Sequence, residues 1–85
     1  MKKNMRYAYN ALKKIGCPVI DHGEENFYIS AENNVKEIWA DYYMMGMGGK
    51  FVDDFGVNQR INRILDRYGL FAEWQNPGCL CVCEA

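Results

Sequence analysis

Gly69-Leu70-Phe71-Ala72-Glu73-Trp74-Gln75-Asn76-Pro77-Gly78-Cys79-Leu80-Cys81-Val82-Cys83-Glu84 reads as two strands joined by a tight turn. Side chains alternate along a strand, so Leu70, Ala72 and Trp74 share one face and Glu73 and Gln75 the other. Pro77 presets φ for the second position of a turn, and Gly78 suits the third. In the second strand three thiols alternate with Leu80 and Val82. The loop length decides which set joins Trp74 in the core, because a slip of one residue exchanges the faces. A two- or four-residue loop buries Cys79, Cys81 and Cys83; a three-residue loop buries Leu80 and Val82 instead. Pro77-Gly78 favours an even loop. The expectation is therefore cysteines packed inward as small hydrophobes.

Working outward, Val57, Ile61, Ile64, Leu65 and Tyr68 lie on one face of a helix that Asp53 or Asp54 can cap and Gly69 ends. Near the N-terminus, Met5, Ala8, Leu12 and Ile15 mark a helix over 4–15. Gly16 suits its left-handed end, and Pro18 prevents continuation. A strand over 17–20, a turn over 21–25 and a return strand over 26–30 follow. Ala8, Ala11, Leu12, Ile15 and Gly16 match Ile61, Ile64, Leu65, Tyr68 and Gly69 at a constant offset of 53 positions. Between these units, Val35, Ile38, Trp39 and Tyr42 fit a middle helix capped by Ser30 or Asn34, leading into a Gly- and Met-rich loop. The expected fold is α+β, one small domain over 1–85. Its order is helix–hairpin, middle helix, helix–hairpin, with the helices packed on one face of an antiparallel sheet.

The chain has 85 residues, room for one core only. Its hydrophobic fraction of 49% is that of a folded globule. No apolar run approaches the roughly 20 residues of a membrane helix. The basic start, Met1 to Arg6, lacks the apolar segment of a secretory signal. A cytoplasmic protein with reduced thiols is expected. The net charge of −1 conceals a polar distribution. Lys2, Lys3, Arg6, Lys13 and Lys14 occupy the first helix without an acid, whereas eight acids lie within 17–54. A dedicated nucleic-acid domain is usually strongly basic, and a pI near 5.7 disfavours that class without removing the local patch.

Candidate chemistry is sparse. Cys79, Cys81 and Cys83, with Cys17 and His22 from the first hairpin, supply metal-ligand types. Same-face residues on a strand stand about 6.5–7 Å apart along the backbone, a poor chelate beside a CxxC turn. His22, within Asp21-His22-Gly23-Glu24-Glu25, reads more simply as part of a solvated turn. Gly46-Met47-Gly48-Gly49-Lys50-Phe51 fails the phosphate-loop pattern: Met44 stands where glycine is needed, and Phe51 where Ser or Thr is needed. No catalytic residue and no cofactor are expected. Trp39, Tyr42, Tyr43, Met44 and Met45 form an aromatic and Met-rich stretch suited either to a partner surface or to core and loop.

Two resemblances can be named. Tyr68-Gly69-Leu70-Phe71-Ala72-Glu73-Trp74-Gln75-Asn76-Pro77-Gly78-Cys79 resembles the C-terminal end of small uncharacterised proteins of marine phage and metagenomic origin, which implies no activity. Leu12-Lys13-Lys14-Ile15-Gly16 before a hairpin is similar to the opening of HicA-type RNA-cleaving toxins, which have a double-stranded-RNA-binding-like fold. That family's Gly-Ser-His motif falls here on Gly23-Glu24-Glu25-Asn26, without the histidine, so the activity does not carry over. The expected function is a non-catalytic accessory or interaction module whose partner is a second copy, as a homodimer, or another protein. The alternatives are RNA or DNA binding through Lys2, Lys3, Arg6, Lys13 and Lys14, aided by Arg60, Arg63 and Arg67, and a metal- or thiol-dependent site on the cysteine strand.

Overall fold

The periodic apolar stretch near the N-terminus folds as helix α1 (Lys3–Lys14), with Met5, Ala8 and Leu12 on its buried stripe. Gly16, at φ 90°, closes it. The Cys17 N–H donates to the Leu12 carbonyl at 3.0 Å and the Gly16 N–H to that of Lys13 at 3.1 Å, so two orphan carbonyls of the last turn are satisfied in a Schellman arrangement. Lys13 and Lys14 place positive charge at the negative end of the helix dipole. Two short strands follow, β1 (Val19–Asp21) and β2 (Phe27–Ser30). The second unit comprises α2 (Gln59–Arg67), β3 (Leu70–Asn76) and β4 (Cys79–Glu84). In this computed structural model the described residues are 2–21, 26–32, 38–44 and 52–84.

The four strands form one antiparallel sheet in the order β1-β2-β4-β3, so the return strands of the two hairpins meet at its centre. Both helices pack on one face. Met5, Ala8 and Leu12 of α1 and Ile61 and Leu65 of α2 share a core with Phe27, Ile29, Leu70, Leu80 and Val82. The ring of Tyr9 meets Phe27 edge-on at 5.4 Å. The start of α1 lies against the end of α2: the Asn4 side-chain amide donates to the Tyr68 carbonyl at 3.1 Å, and the Tyr7 and Tyr68 rings are 6.1 Å apart. The fold is thus the expected small α+β domain, with two α-helices among the described residues on one face of a four-stranded antiparallel sheet.

The interval of 53 positions that separates Gly16 from Gly69 runs through the whole architecture. Both glycines have positive φ, 90° and 70°. Displaced by that interval, β1 falls within β3 and β2 within β4. Buried Ala8, Leu12, Cys17, Phe27 and Ile29 fall on buried Ile61, Leu65, Leu70, Leu80 and Val82. In the central ladder Tyr28 pairs with Cys81, the residue that is its own counterpart at this interval. The two halves are therefore related by a pseudo-two-fold passing through that pair.

The middle of the chain departs from the sequence reading. Within 38–44 there is no α-helix, only a 3₁₀ turn at Tyr42–Met44; positions 33–37 and 45–51 lie outside the described residues. Trp39 and Ala40 are buried, and Ala40 forms an isolated antiparallel bridge to Val57 in place of a helical turn. Val57 consequently precedes α2 rather than belonging to it. The cap of α2 is Asn58, not Asp53 or Asp54: its side-chain oxygen accepts from the Arg60 N–H at 2.9 Å, and its amide donates to the Ile38 carbonyl at 2.9 Å. Asp53 holds the preceding loop instead. It accepts from the N–H groups of Phe55 and Val57 at 2.8 and 3.0 Å, and from the Asn62 side chain at 2.7 Å. Asp53→Ala leaves these donors without that acceptor and is expected to cost about 1–3 kcal/mol. Exposed Asp54→Ala should stay within about 0.5 kcal/mol. Urea midpoints of the two variants check the contrast.

Candidate functional site

The second hairpin does close with a two-residue turn, since Asn76 pairs with Cys79 around Pro77-Gly78. The next pair is Trp74 with Leu80, and Gln75 is an extra residue on β3. This bulge shifts the register by one and exchanges the faces of β4. Leu80 and Val82 are fully buried beneath the helices, and Cys79, Cys81 and Cys83 stand half-buried on the opposite face. The expected inward cysteines are corrected on this point. The turn was even, but the bulge behind it was not legible from turn chemistry. The Asn76 side chain, accepting from the Gly78 N–H at 2.9 Å, holds the turn.

The outer face of the sheet carries Ile20, Tyr28, the three thiols, Phe71 and Glu73. The register places Ile20 beside Tyr28, Tyr28 beside Cys81, Glu73 on the far side of Cys81, and Phe71 beside Cys83. Ile20 is 42% and Phe71 44% exposed, and no described helix packs on this side. A shallow depression of about 330 Å³ is lined by Tyr28, Glu73, Trp74, Gln75, Cys81 and Cys83. The Cys81 and Cys83 sulfurs are 3.7 Å apart. The Asn26 side-chain amide donates to the Val82 carbonyl at 3.2 Å and lies 3.8 Å from the Cys81 sulfur. Tyr28, Ile20 and Phe71 were not singled out by sequence reading. The register was the missing signal, although Phe71 was already off the Leu70/Ala72/Trp74 face.

Burial pushes the Cys83 thiol up from 9.0 to about 11, helped by its hydrogen bond to Cys81 and by the charges of Cys81 and Glu73. Burial also raises Cys79. Tyr28 is raised chiefly by the neighbouring charge of Cys81. Cys79 and Cys83 therefore stay protonated at neutral pH, the opposite of an activated nucleophile. The sign for stability follows: the fold favours the neutral Cys83 thiol. Stability is full below pH 9 and declines as pH rises toward about 11, because the unfolded chain ionises first. Thermal melts across this range, with Cys83→Ala showing a shallower decline, check it.

Other sequence candidates separate from this face. Cys17 is buried in the core on the helical side. None of the four cysteines is in a disulfide. His22 lies outside the described residues. Among the described residues no group of three or more His, Cys, Asp or Glu side chains converges to hold a metal ion. Trp39 is 5% exposed, beneath the Arg60 guanidinium at 5.2 Å, and so belongs to the interior rather than to a surface. Tyr42 packs edge-on to Trp74 at 5.5 Å, and Tyr43 is 79% exposed. Met44 ends the 3₁₀ turn, and Met45 lies outside the described residues.

Lys2, Lys3, Arg6, Lys13 and Lys14 are all exposed, as are Arg60, Arg63 and Arg67 of α2. Lys2 pairs with Glu84 at 3.1 Å, an exposed ion pair of small energetic weight. Packing of α1 against α2 brings the two basic sets into one layer. No described helix is long and apolar enough to cross a membrane. Comparison with protein-family models, with curated proteins and with solved structures yields no match.

Proposed function

We propose that this domain is a non-catalytic interaction module that self-associates through the outer face of its sheet. The observation that carries this reading is the open face running from Ile20 through Tyr28 and the thiols to Phe71, with the helices committed to the other side. Exposed apolar groups contiguous on a sheet commonly mark an interaction surface. A symmetric dimer brings the same patch of both copies together, so this face has only to complement itself. The protonated Cys79 and Cys83 thiols act on this surface as small apolar groups. Sedimentation equilibrium should give a dimer, and Phe71→Asp and Ile20→Asp should each weaken it by tenfold or more at unchanged circular dichroism. A wild-type monomer at high micromolar concentration would refute the reading.

A second reading is polyanion binding by the helical layer. It is supported by the exposure of Lys3, Arg6, Lys13 and Lys14 on α1 and of Arg60, Arg63 and Arg67 on α2, two helices that pack against one another. Phosphate contacts make affinity fall steeply with salt. Filter binding of RNA at low salt, lost on added salt and in Lys13→Glu/Lys14→Glu, is the expected result for this reading. Absence of retention at low salt removes it.

A further inference from the structure

We infer that Cys81 and Cys83 form one half of a tetrahedral thiolate site for a thiophilic divalent ion, Zn²⁺ being the type, completed by the same two cysteines of a second copy. The inference rests on the self-association reading above and gives that contact a chemistry. Two thiolates on one tetrahedral zinc, each at about 2.3 Å, stand about 3.8 Å apart. The Cys81 and Cys83 sulfurs are 3.7 Å apart, on the same face of one strand. The obstacle raised by backbone spacing is met by the side chains, which lean toward one another.

A disulfide between the same residues fits less well. It needs Cβ atoms about 3.5–4.5 Å apart, whereas same-face neighbours on a strand are separated by about 6.5 Å of backbone. The spacing thus suits two ligands of one ion better than a bond between the sulfurs.

The count of ligands points to the second copy. Structural zinc takes four, and this pair supplies two. Among the described residues no third metal-ligating side chain joins them, and Cys17 is held on the other side of the sheet. Tyr28 and Glu73 flank the pair, and the depression before it opens outward. A copy related by a two-fold would present the same two sulfurs across that opening and cover Phe71 with the same contact. Loading turns four thiols into thiolates and releases four protons to solvent, with no electron transferred. The ion's own charge offsets the cost of forming thiolates in a half-buried site.

The test uses the whole reduced chain, stripped with chelator and then titrated anaerobically with Co²⁺, with Zn²⁺ added in parallel for native mass spectrometry. The expected result is tetrahedral thiolate–cobalt absorbance saturating at one ion per two chains, and a dimer carrying one zinc. Cys81→Ser and Cys83→Ser should each abolish the absorbance at unchanged circular dichroism. Cys79→Ser and Cys17→Ser should retain it. Saturation at one ion per chain, absorbance surviving in Cys81→Ser or Cys83→Ser, or no uptake overturns the inference. A stripped dimer that takes up no metal overturns only the metal site, whereas a monomer with and without metal overturns the self-association reading as well.

Discussion

Gly56→Ala is expected to destabilise the domain by about 3 kcal/mol or more, the largest effect of any single methyl addition among the described glycines. Two causes combine there. Gly56 sits at φ 82°, a region that L side chains rarely adopt, and an added Cβ would collide with the Asp41 backbone carbonyl. That backbone cannot easily withdraw, because the Asp41 N–H donates to the Gly56 carbonyl at 2.8 Å. The segment is further pinned where Trp74 Nε1 donates to the Phe55 carbonyl at 2.7 Å. Gly16 and Gly69 provide the control: both have positive φ, but an added Cβ meets nothing within 4 Å. Gly16→Ala and Gly69→Ala should each cost only about 1 kcal/mol. Equal losses for the three variants in chemical denaturation would contradict the close approach at Gly56.

Leu80→Ala should cost about 2–5 kcal/mol, and Cys81→Ala less than about 1 kcal/mol. The neighbours lie on opposite faces of β4: Leu80 is fully buried beneath the helices, and Cys81 is half-buried on the open face. The cost at Leu80 includes the cavity left among Phe27, Ile29 and Val82, which a close-packed core fills only in part. The contrast reads out the bulge at Gln75 directly. A strand without that bulge reverses the order of the two losses, and urea midpoints distinguish the cases.

Much of the fold was legible because the signals were local. The period of Met5, Ala8 and Leu12, the glycine at the end of each helix and the alternation in the last hairpin all follow from short-range sterics and burial. The matching of the two helix–glycine units also held in three dimensions. What failed was decided by contacts at a distance. The segment around Trp39 has the spacing of a helix, but a bridge from Ala40 to Val57 and the hydrogen bonds of Asn58 fix it otherwise. Asp53 was a reasonable cap by type, and its carboxylate was taken by a loop instead. The thiol face turned on one extra residue, which no property of Gln75 itself announces. The surface candidates were legible as residues but not as a surface, since Ile20, Tyr28, Cys81 and Phe71 become neighbours only through the β2–β4 pairing.

That pairing also sets an order of events during synthesis. β2 and β4 are the two inner strands, yet Tyr28 and Cys81 lie 53 positions apart in the sequence. As the polypeptide leaves the ribosome, β1 and β2 emerge early, but the inner edge of β2 has no strand to bond until Cys79–Glu84 arrives. A nascent chain stalled short of those residues presents an unpaired backbone edge, a template for a neighbouring chain. Sheet closure waits on a contact of high sequence separation, and contacts of that kind must meet a loop-closure entropy that helix formation does not.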